Sequence, residues 1–253
     1  MFIGIDIGGT RTRLAASLGL DKPEVEDRKE FVTSDNFERN LQNLFSYIDL
    51  KTQIAGIGVS IPGDLNADKS MVVRNANYTP CYLRSPLKKL LLERYRCPVQ
   101  MDNDGVAGAL GEAVYGNGKG IDFAYITWGT GIGGALVKYI NGKLVTSQLD
   151  WDKYLCTWEH ACGGKYLEKM YGKPAKLLTQ SEWGTVMETF QKELLVFIDK
   201  VHFQRVIFGG GISLNQSARL QQVAKQINDY KIKMEISGLG EDTGLLGAFA
   251  LIR

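Results

Sequence analysis

A hairpin built around a Gly-Thr turn occurs twice in this chain, and it constrains the fold more than any other feature. The first copy spans residues 2–17, where the strand-like FIGID leads into the turn GGT and a returning strand. The second copy spans residues 123–139, where FAYITW leads into GTG and again into a returning strand. Strands and helices alternate along the rest of the chain, which predicts an α/β fold. The repeated hairpin indicates an internal duplication.

Composition limits the classes of function. Lys and Arg total 30 and Asp and Glu total 28 among 253 residues, for a net charge of +2. A nucleic-acid-binding protein usually carries a basic domain or stripe, so we expect no nucleic-acid partner. No apolar run approaches the roughly 20 residues that cross a bilayer, so we expect no membrane span. Four cysteines without a secretory signal predict a reduced, cytoplasmic protein.

Two glycine-rich motifs are suited to phosphate binding. In DIGGT at residues 6–10, the glycines let backbone amides approach an anion, and Thr10 adds a hydroxyl. Asp6, at the end of the strand, is placed to hold Mg²⁺ through water. The second motif, GTGIGG at residues 129–134, lacks the Lys of a P-loop and leads into a strand, so it is no dinucleotide fingerprint either. Taken alone, each motif is equally an ordinary turn.

Two further motifs also have both a functional and a structural interpretation. Asn103 and Asp104 precede a predicted helix, where the helix dipole keeps a carboxylate ionised. Phosphoryl transfer to a hydroxyl needs a carboxylate that accepts the proton and aims the nucleophile. The same residues are equally favoured as an N-cap. The glycine run at residues 209–211 suits close approach by adenine or ribose, or is a strand-to-helix turn.

The motifs taken in order resemble the ROK family of bacterial sugar kinases, which are glucokinase-like members of the actin, hexokinase and Hsp70 ATPase superfamily. The resemblance runs from residue 3 to the C-terminus and ends in EDTGLLGA. It implies a duplicated actin-like (ribonuclease H-like) fold of two domains with an interdomain cleft. Residues 1–104, joined by a C-terminal helix at 244–253, would form the small domain, and residues 105–243 the larger one.

The resemblance further implies ATP-dependent phosphorylation of a glucose-like hexose, with Asp104 as catalytic base and Mg²⁺ bound through water near Asp6. The phosphate and nucleotide contacts of that family fall on positions that are here Asp6, Gly8, Gly9, Thr10, Gly129, Thr130, Gly131, Gly133, Gly209, Gly210 and Gly211. The sugar contacts fall on positions that are here Asn77, Asn103, Asp104, Gln148 and Glu159.

This sequence departs from the family pattern in two places, at the sugar-binding positions and in the zinc-binding region. Gln148 and Trp151 stand where the family has Glu and His, and an amide both donates and accepts where a carboxylate only accepts. Many members bind zinc through one His and three Cys. The matching region here holds Cys156, His160 and Cys162, with different spacing and one thiol too few. A structural zinc site needs four ligands, so we expect no zinc.

Several alternatives stay open at the level of sequence. The altered acceptor positions are compatible with a non-catalytic sugar or nucleotide sensor of the same fold. Inorganic polyphosphate would fit the two phosphate turns as well as ATP does. A chaperone-like or cytoskeletal ATPase shares the fold. Repressor relatives carry an N-terminal DNA-binding domain, for which a phosphate turn within ten residues of Met1 leaves no room. A homodimer is expected from the resemblance alone.

Overall fold

The structure is a computed structural model that describes residues 1–25 and 27–253 and has an α/β fold. Its strands are β1 Phe2–Ile7, β2 Arg11–Ser17, β3 Lys29–Val32, β4 Gly56–Ile61, β5 Asp64–Leu65, β6 Val72–Arg74, β7 Val99–Asn103, β8 Phe123–Trp128, β9 Ile132–Ile140, β10 Lys143–Gln148, β11 Arg205–Gly209 and β12 Lys233–Ile236. Its helices are α1 Phe37–Ile48, α2 Leu87–Tyr95, α3 Asp104–Val114, α4 Cys156–Cys162, α5 Gly164–Tyr171, α6 Gln180–Val201, α7 Gly211–Asn215, α8 Ser217–Gln226 and α9 Thr243–Ala250.

Two five-stranded sheets share one topology. Their strand orders are β3-β2-β1-β4-β7 and β10-β9-β8-β11-β12. In each sheet the first three strands along the chain pair antiparallel, the fourth pairs parallel with the first, and the fifth pairs parallel with the fourth. The shared topology confirms the duplicated fold that the repeated hairpin predicted.

The first sheet is covered on both faces, which explains its sequence. All six residues of β4 (GIGVSI) are buried, as expected for a central parallel strand. On α1, Leu44 and Ile48 lie on the apolar stripe and are fully buried, and Asn36 caps the helix by accepting from the Arg39 amide at 2.8 Å. This core fixes the ends of β1 and β4, from which site residues project.

The second sheet is supported by an aromatic core. Trp128, the last residue of β8, stacks on Phe190 of α6 with ring centroids 4.3 Å apart, and both side chains are fully buried. Helix α6 begins with a capping box between Thr179 and Glu182. A π-helical turn at Trp151–Leu155 leads into α4. The aromatic core anchors β8 at the point where the second glycine turn starts.

Helix α9 returns to the first sheet and packs on it without intervening side chains. A methyl group on Gly58 of β4 would lie 1.8 Å from the Ala248 carbonyl oxygen. A methyl on Gly247 would lie 2.2 Å from the Ala107 carbonyl oxygen, so α3 packs equally closely on the other side of α9. The domain division at residue 104, with residues 244–253 joined to the small domain, stays a prediction. Among the residues that the structure describes, no helix combines the length and apolar character needed to cross a bilayer.

Candidate active site

A cleft of about 770 Å³ lies between the two sheets, large enough for a small-molecule ligand. One wall holds the first turn, residues 8–10 between β1 and β2, and the other holds the second turn, residues 129–131 between β8 and β9. The hydroxyl oxygens of Thr10 and Thr130 are 3.4 Å apart. The two turns therefore face each other closely enough to contact the same ligand.

The first turn is braced by Thr33, the residue that follows β3, a strand that sequence reasoning did not identify. The Gly8 amide donates to the Arg11 carbonyl at 2.9 Å, and the Thr33 hydroxyl donates to the Gly8 carbonyl at 2.7 Å. The Thr33 amide donates to the Thr10 carbonyl at 3.1 Å. The carbonyl groups of the turn are thus engaged by protein donors, which fixes its conformation before any ligand binds.

The second turn is held from the side of α5. The Gly164 amide donates to the Gly129 carbonyl at 2.9 Å, and the Lys165 amide donates to the Thr130 carbonyl at 2.8 Å. Both acceptors are therefore occupied by the start of α5. A turn whose carbonyl oxygens are engaged elsewhere presents less negative charge to a bound anion.

Asp6 lies at the end of β1, where three elements meet. The Ser60 hydroxyl of β4 donates to Asp6 Oδ1 at 3.0 Å, and a methyl on Gly244 of α9 would lie 2.3 Å from the same carboxyl group. Burial raises the pKa of Asp6, while the Ser60 hydrogen bond and the Arg13 charge act in the opposite direction.

The donor atoms around Asp6 suit Mg²⁺, which keeps several water ligands, rather than a metal that is bound entirely by protein side chains. The donors are hard oxygen atoms, one carboxylate and one hydroxyl, as Mg²⁺ prefers. Within residues 1–25 and 27–253, no three His, Cys, Asp or Glu side chains are grouped to hold a metal by themselves. A Mg²⁺ at Asp6 would therefore take most of its ligands from water and from a bound phosphate.

Asn103 and Asp104 differ in what their side chains contact. Asn103 is the N-cap of α3: its Oδ1 accepts from the Gly105 amide at 2.8 Å, and its Nδ2 donates to the Gly63 carbonyl at 2.8 Å. Asp104 opens onto the cleft, and its Oδ1 accepts from the Gly105 amide at 2.9 Å. Burial, and then the charge of Asp6, raise the pKa of Asp104 to about 6. A carboxyl with this pKa has the basicity that a general base needs near neutral pH.

Gln148, one of the predicted sugar-binding residues, joins the two halves of the chain across the cleft. Gln148 Nε2 donates to Asp64 Oδ1 at 2.9 Å, so β10 of the second half is linked to β5 of the first. Asp64 Oδ2 accepts from Arg74 Nε and from Asn75 Nδ2, each at 2.8 Å. Asn77 also lines this part of the cleft and is exposed. The amide of Gln148 thus contacts a carboxylate, which a Glu at that position would repel.

Glu159 is almost fully buried, at 3% exposure, although it borders the cleft. Its Oε2 accepts from the Ile132 amide at 2.7 Å, immediately after the second turn. One of its two carboxylate oxygens therefore positions the second turn, and the acceptor role that we predicted for Glu159 rests on the other.

Cys156, His160 and Cys162, which lie in the region that matches the zinc site of other family members, are not grouped together as three. Cys156 Sγ lies 3.9 Å from His160 Nδ1, whereas Cys162 is fully buried and its Sγ lies 3.9 Å from the Val186 carbonyl. Burial raises the pKa of the Cys162 thiol to about 12. The His160 ring packs between Trp151 and Tyr166.

All but one of the residues predicted for the site line the cleft. Gly209 does not: it is the last residue of β11, and a methyl there would lie 2.1 Å from the Tyr125 hydroxyl. Any side chain at Gly209 would collide with Tyr125, which explains the glycine. Gly210, at φ = 87°, and Gly211 do line the cleft. The nucleotide contacts on this glycine run stay a prediction.

Sequence reasoning missed a buried network that positions the start of α9. Glu112 of α3 is fully buried; it accepts from the Ser237 hydroxyl and, at 2.8 Å, from the Asn117 amide. Ser237 Oγ lies 2.8 Å from the hydroxyl oxygen of Thr243, the first residue of α9. This network holds the next residue, Gly244, against Asp6. A Glu among the alanines and glycines of α3 is a signal that could have revealed it.

The shared topology of the sheets and the cleft between two facing glycine-threonine turns define an actin-like fold. A family model described as the ROK family matches residues 2–149, more than half of the chain. The chain therefore belongs to the ROK family.

Relatives of this chain include enzymes of sugar phosphorylation. A glucokinase from Halalkalibacterium halodurans is 31% identical over 153 residues, which are 57% of this chain and 45% of that protein, so the chain spans about half the length of such curated relatives. The solved ROK family glucokinase from Streptomyces griseus, in complex with glucose and AMPPNP, superposes with a TM-score of 0.77 at 20% identity, covering 99% of this chain and 98% of that one. The inorganic polyphosphate/ATP-glucomannokinase from Arthrobacter sp. strain KM superposes with a TM-score of 0.76 at 25% identity, covering 98% and 96%.

Proposed function

We propose that this protein is a sugar kinase that transfers the γ-phosphoryl group of Mg-ATP to a hydroxyl of a hexose. The observation that carries the proposal is the arrangement of the cleft, in which Thr10 and Thr130 face each other at 3.4 Å and Asp104 opens onto the same space. The names of the relatives, a glucokinase and a glucomannokinase, support the same class of reaction.

The donor's phosphates are proposed to lie between the first and second turns, with Gly210 and Gly211 beside the nucleotide. Mg²⁺ bound through water at Asp6 would neutralise charge on the phosphates when it is present. The turns are preformed by hydrogen bonds from Thr33 and α5, so little reorganisation is needed when the donor binds.

In the proposed transfer, Asn77 and Glu159 orient the sugar so that one hydroxyl points to Asp104. Asp104 accepts the proton of that hydroxyl as its oxygen forms a bond to the γ-phosphorus. The bond from the γ-phosphorus to the bridging oxygen breaks, and ADP leaves. Because its pKa is raised to about 6, Asp104 is a stronger base than an exposed Asp and is still mostly ionised at pH 7.

The test is sugar-dependent ADP release from Mg-ATP, measured with glucose, mannose, fructose, N-acetylglucosamine and N-acetylmannosamine, and without sugar. Asp104→Asn should reduce turnover with the preferred sugar by about 10²- to 10⁴-fold, the usual contribution of a general base. The Asn side chain keeps an acceptor for the Gly105 amide, so the fold should persist. The exposed Asp229→Asn is the matched control. Near-normal turnover in Asp104→Asn would refute the proposed base.

Inorganic polyphosphate is a second candidate donor. Arg11, Lys165 and Lys176 line the same cleft, and their charges favour an extended anion. The same panel run with polyphosphate in place of ATP decides between the donors. Sugar binding without product from either donor would instead indicate a sensor, for which the hydrogen bond of Gln148 to Asp64 is the supporting observation. The cytoplasmic setting, the homodimer and the absence of a nucleic-acid partner stay predictions.

A further inference from the structure

Tyr78 lies between the first and second turns and has no role in the transfer described so far. A methyl group on Gly9 would lie 2.6 Å from Tyr78 Cβ, and a methyl on Gly131 would lie 2.5 Å from its ring atom Cε2. Any side chain at either glycine would therefore collide with Tyr78. The glycines at these two positions make room for the tyrosine as well as for phosphate.

The far end of the Tyr78 ring meets Glu159. The same methyl on Gly131 would lie 2.4 Å from Glu159 Oε2, so the ring edge and the carboxylate converge on one point of the second turn. Burial, and then the Glu159 charge, raise the pKa of the Tyr78 hydroxyl, which therefore remains a protonated donor. Tyr78 and Glu159 together form a continuous wall at this side of the cleft.

The backbone around Tyr78 is held in place. The Thr79 amide donates to the Ala76 carbonyl at 3.1 Å, and the Tyr82 amide donates to the Thr79 carbonyl at 3.0 Å. Tyr82 itself is 1% exposed and belongs to the core of the first half. The ring of Tyr78 thus extends from a fixed segment of the first half to a turn of the second.

We propose that Tyr78 is a positioning residue that closes the transfer site against water by joining the two turns around the phosphoryl group. This inference rests on the proposed kinase function and adds to it the residue that keeps transfer ahead of hydrolysis. The exclusion of water from a closed site is what prevents a phosphoryl donor from being hydrolysed.

The reaction that competes with transfer to the sugar is hydrolysis of the γ-phosphoryl group. A water oxygen forms the bond to the γ-phosphorus in place of the sugar oxygen, its proton passes to Asp104, and the bond to the bridging oxygen breaks to release ADP. The products are ADP and inorganic phosphate. The ratio of ADP released to sugar phosphate formed therefore reports how well the site excludes water.

The experiment measures this ratio for the full chain at saturating sugar and Mg-ATP. The wild-type ratio should be close to one. The excess of this ratio over one is the inorganic phosphate formed per sugar phosphate. Tyr78→Ala should raise that excess about tenfold, which corresponds to a change of roughly 1.4 kcal/mol in the relative barriers. Tyr78→Phe keeps the ring against both turns, so its excess should stay within about twofold of wild type. Tyr78→Leu retains packing at Gly9 but cannot reach Gly131, so its ratio should rise as in the Ala variant.

Tyr95→Leu is the matched control, because Tyr95 is a partly buried tyrosine on α2 outside the cleft. Its ratio should stay at the wild-type value. A ratio that stays at the wild-type value in both Tyr78→Ala and Tyr78→Leu, with turnover merely reduced, would overturn the inference and leave the kinase intact. A wild-type protein that forms no sugar phosphate from any donor would overturn the proposed function itself, and this inference with it.

Discussion

Asn103 and Asp104, adjacent residues at the start of α3, have different surroundings. Asn103 is nearly buried and provides the N-cap, whereas Asp104 faces the cleft with a raised pKa. The sequence offered both interpretations for the pair and could not separate them, because caps and bases use the same residue types. The separation depends on which side chain points away from the helix, which only the fold determines.

The pKa of Asp104 predicts how the rate depends on pH. A raised pKa keeps this carboxyl protonated to higher pH than usual, and a protonated base cannot accept the sugar's proton. We expect kcat/KM for the sugar to fall about tenfold per pH unit below pH 6. Glu159→Gln removes one of the charges that raise the pKa of Asp104, so the inflection should move to lower pH.

The donor's own phosphate protonation would not respond to this substitution, so a shift assigns the inflection to the protein. The measurement is initial rate against sugar concentration from pH 4.5 to 8, with circular dichroism to verify folding. A profile that stays flat down to pH 4.5 would contradict the assignment.

Helices and strands with strong patterns were predicted well, and those without were missed. The bounds of β8 agree with the sequence prediction, because FAYITW is a clear apolar run that ends at a glycine turn. The short strands β3 and β5 carry no such pattern, yet β3 leads into Thr33, which braces the first turn, and β5 holds Asp64. Their positions follow from pairing with distant strands, which periodicity within a segment does not report.

The packing of α9 on β4 predicts that alanine substitutions at two glycines of β4 will lower the free energy of unfolding by very different amounts. A methyl on Gly58 would lie 1.8 Å from the Ala248 carbonyl oxygen, whereas one on Gly56 would lie no closer than 3.6 Å to its nearest neighbour. Gly58→Ala must displace α9 and should lower the free energy of unfolding by about 3 kcal/mol. Gly56→Ala should leave it within about 1 kcal/mol of wild type.

Urea unfolding followed by circular dichroism measures both glycine variants. Since α9 begins beside Asp6, Gly58→Ala should also lose activity under conditions where it is still folded. Equal losses of stability in the two variants would show that α9 does not pack on β4 in this register.

At the scale of the whole molecule, the two halves are joined at the back of the cleft and at its mouth. At the back, α3 and α9 pack backbone to backbone, and the Glu112 network ties them together. At the mouth, Gln148 of one half donates to Asp64 of the other. The duplicated architecture could be predicted from the repeated hairpin, but the partner of Gln148 could not, because the two residues are 84 positions apart in the chain.

The hydrogen bond between Gln148 and Asp64 predicts that a negative charge at position 148 weakens sugar binding and that removing the charge at position 64 restores it. Gln148→Glu places two carboxylates within hydrogen-bond distance, so the closed cleft is destabilised and KM for the sugar should rise roughly three- to tenfold, as for the loss of one hydrogen bond. Adding Asp64→Asn reverses the donor and acceptor, and the Asn oxygen still accepts from Arg74 and Asn75. The double variant should recover most of the wild-type KM. Ser147→Glu adds the same charge one residue earlier, where the strand faces away from the cleft, and should leave KM unchanged. If the double variant is no better than Gln148→Glu alone, Gln148 acts through the sugar and not through Asp64.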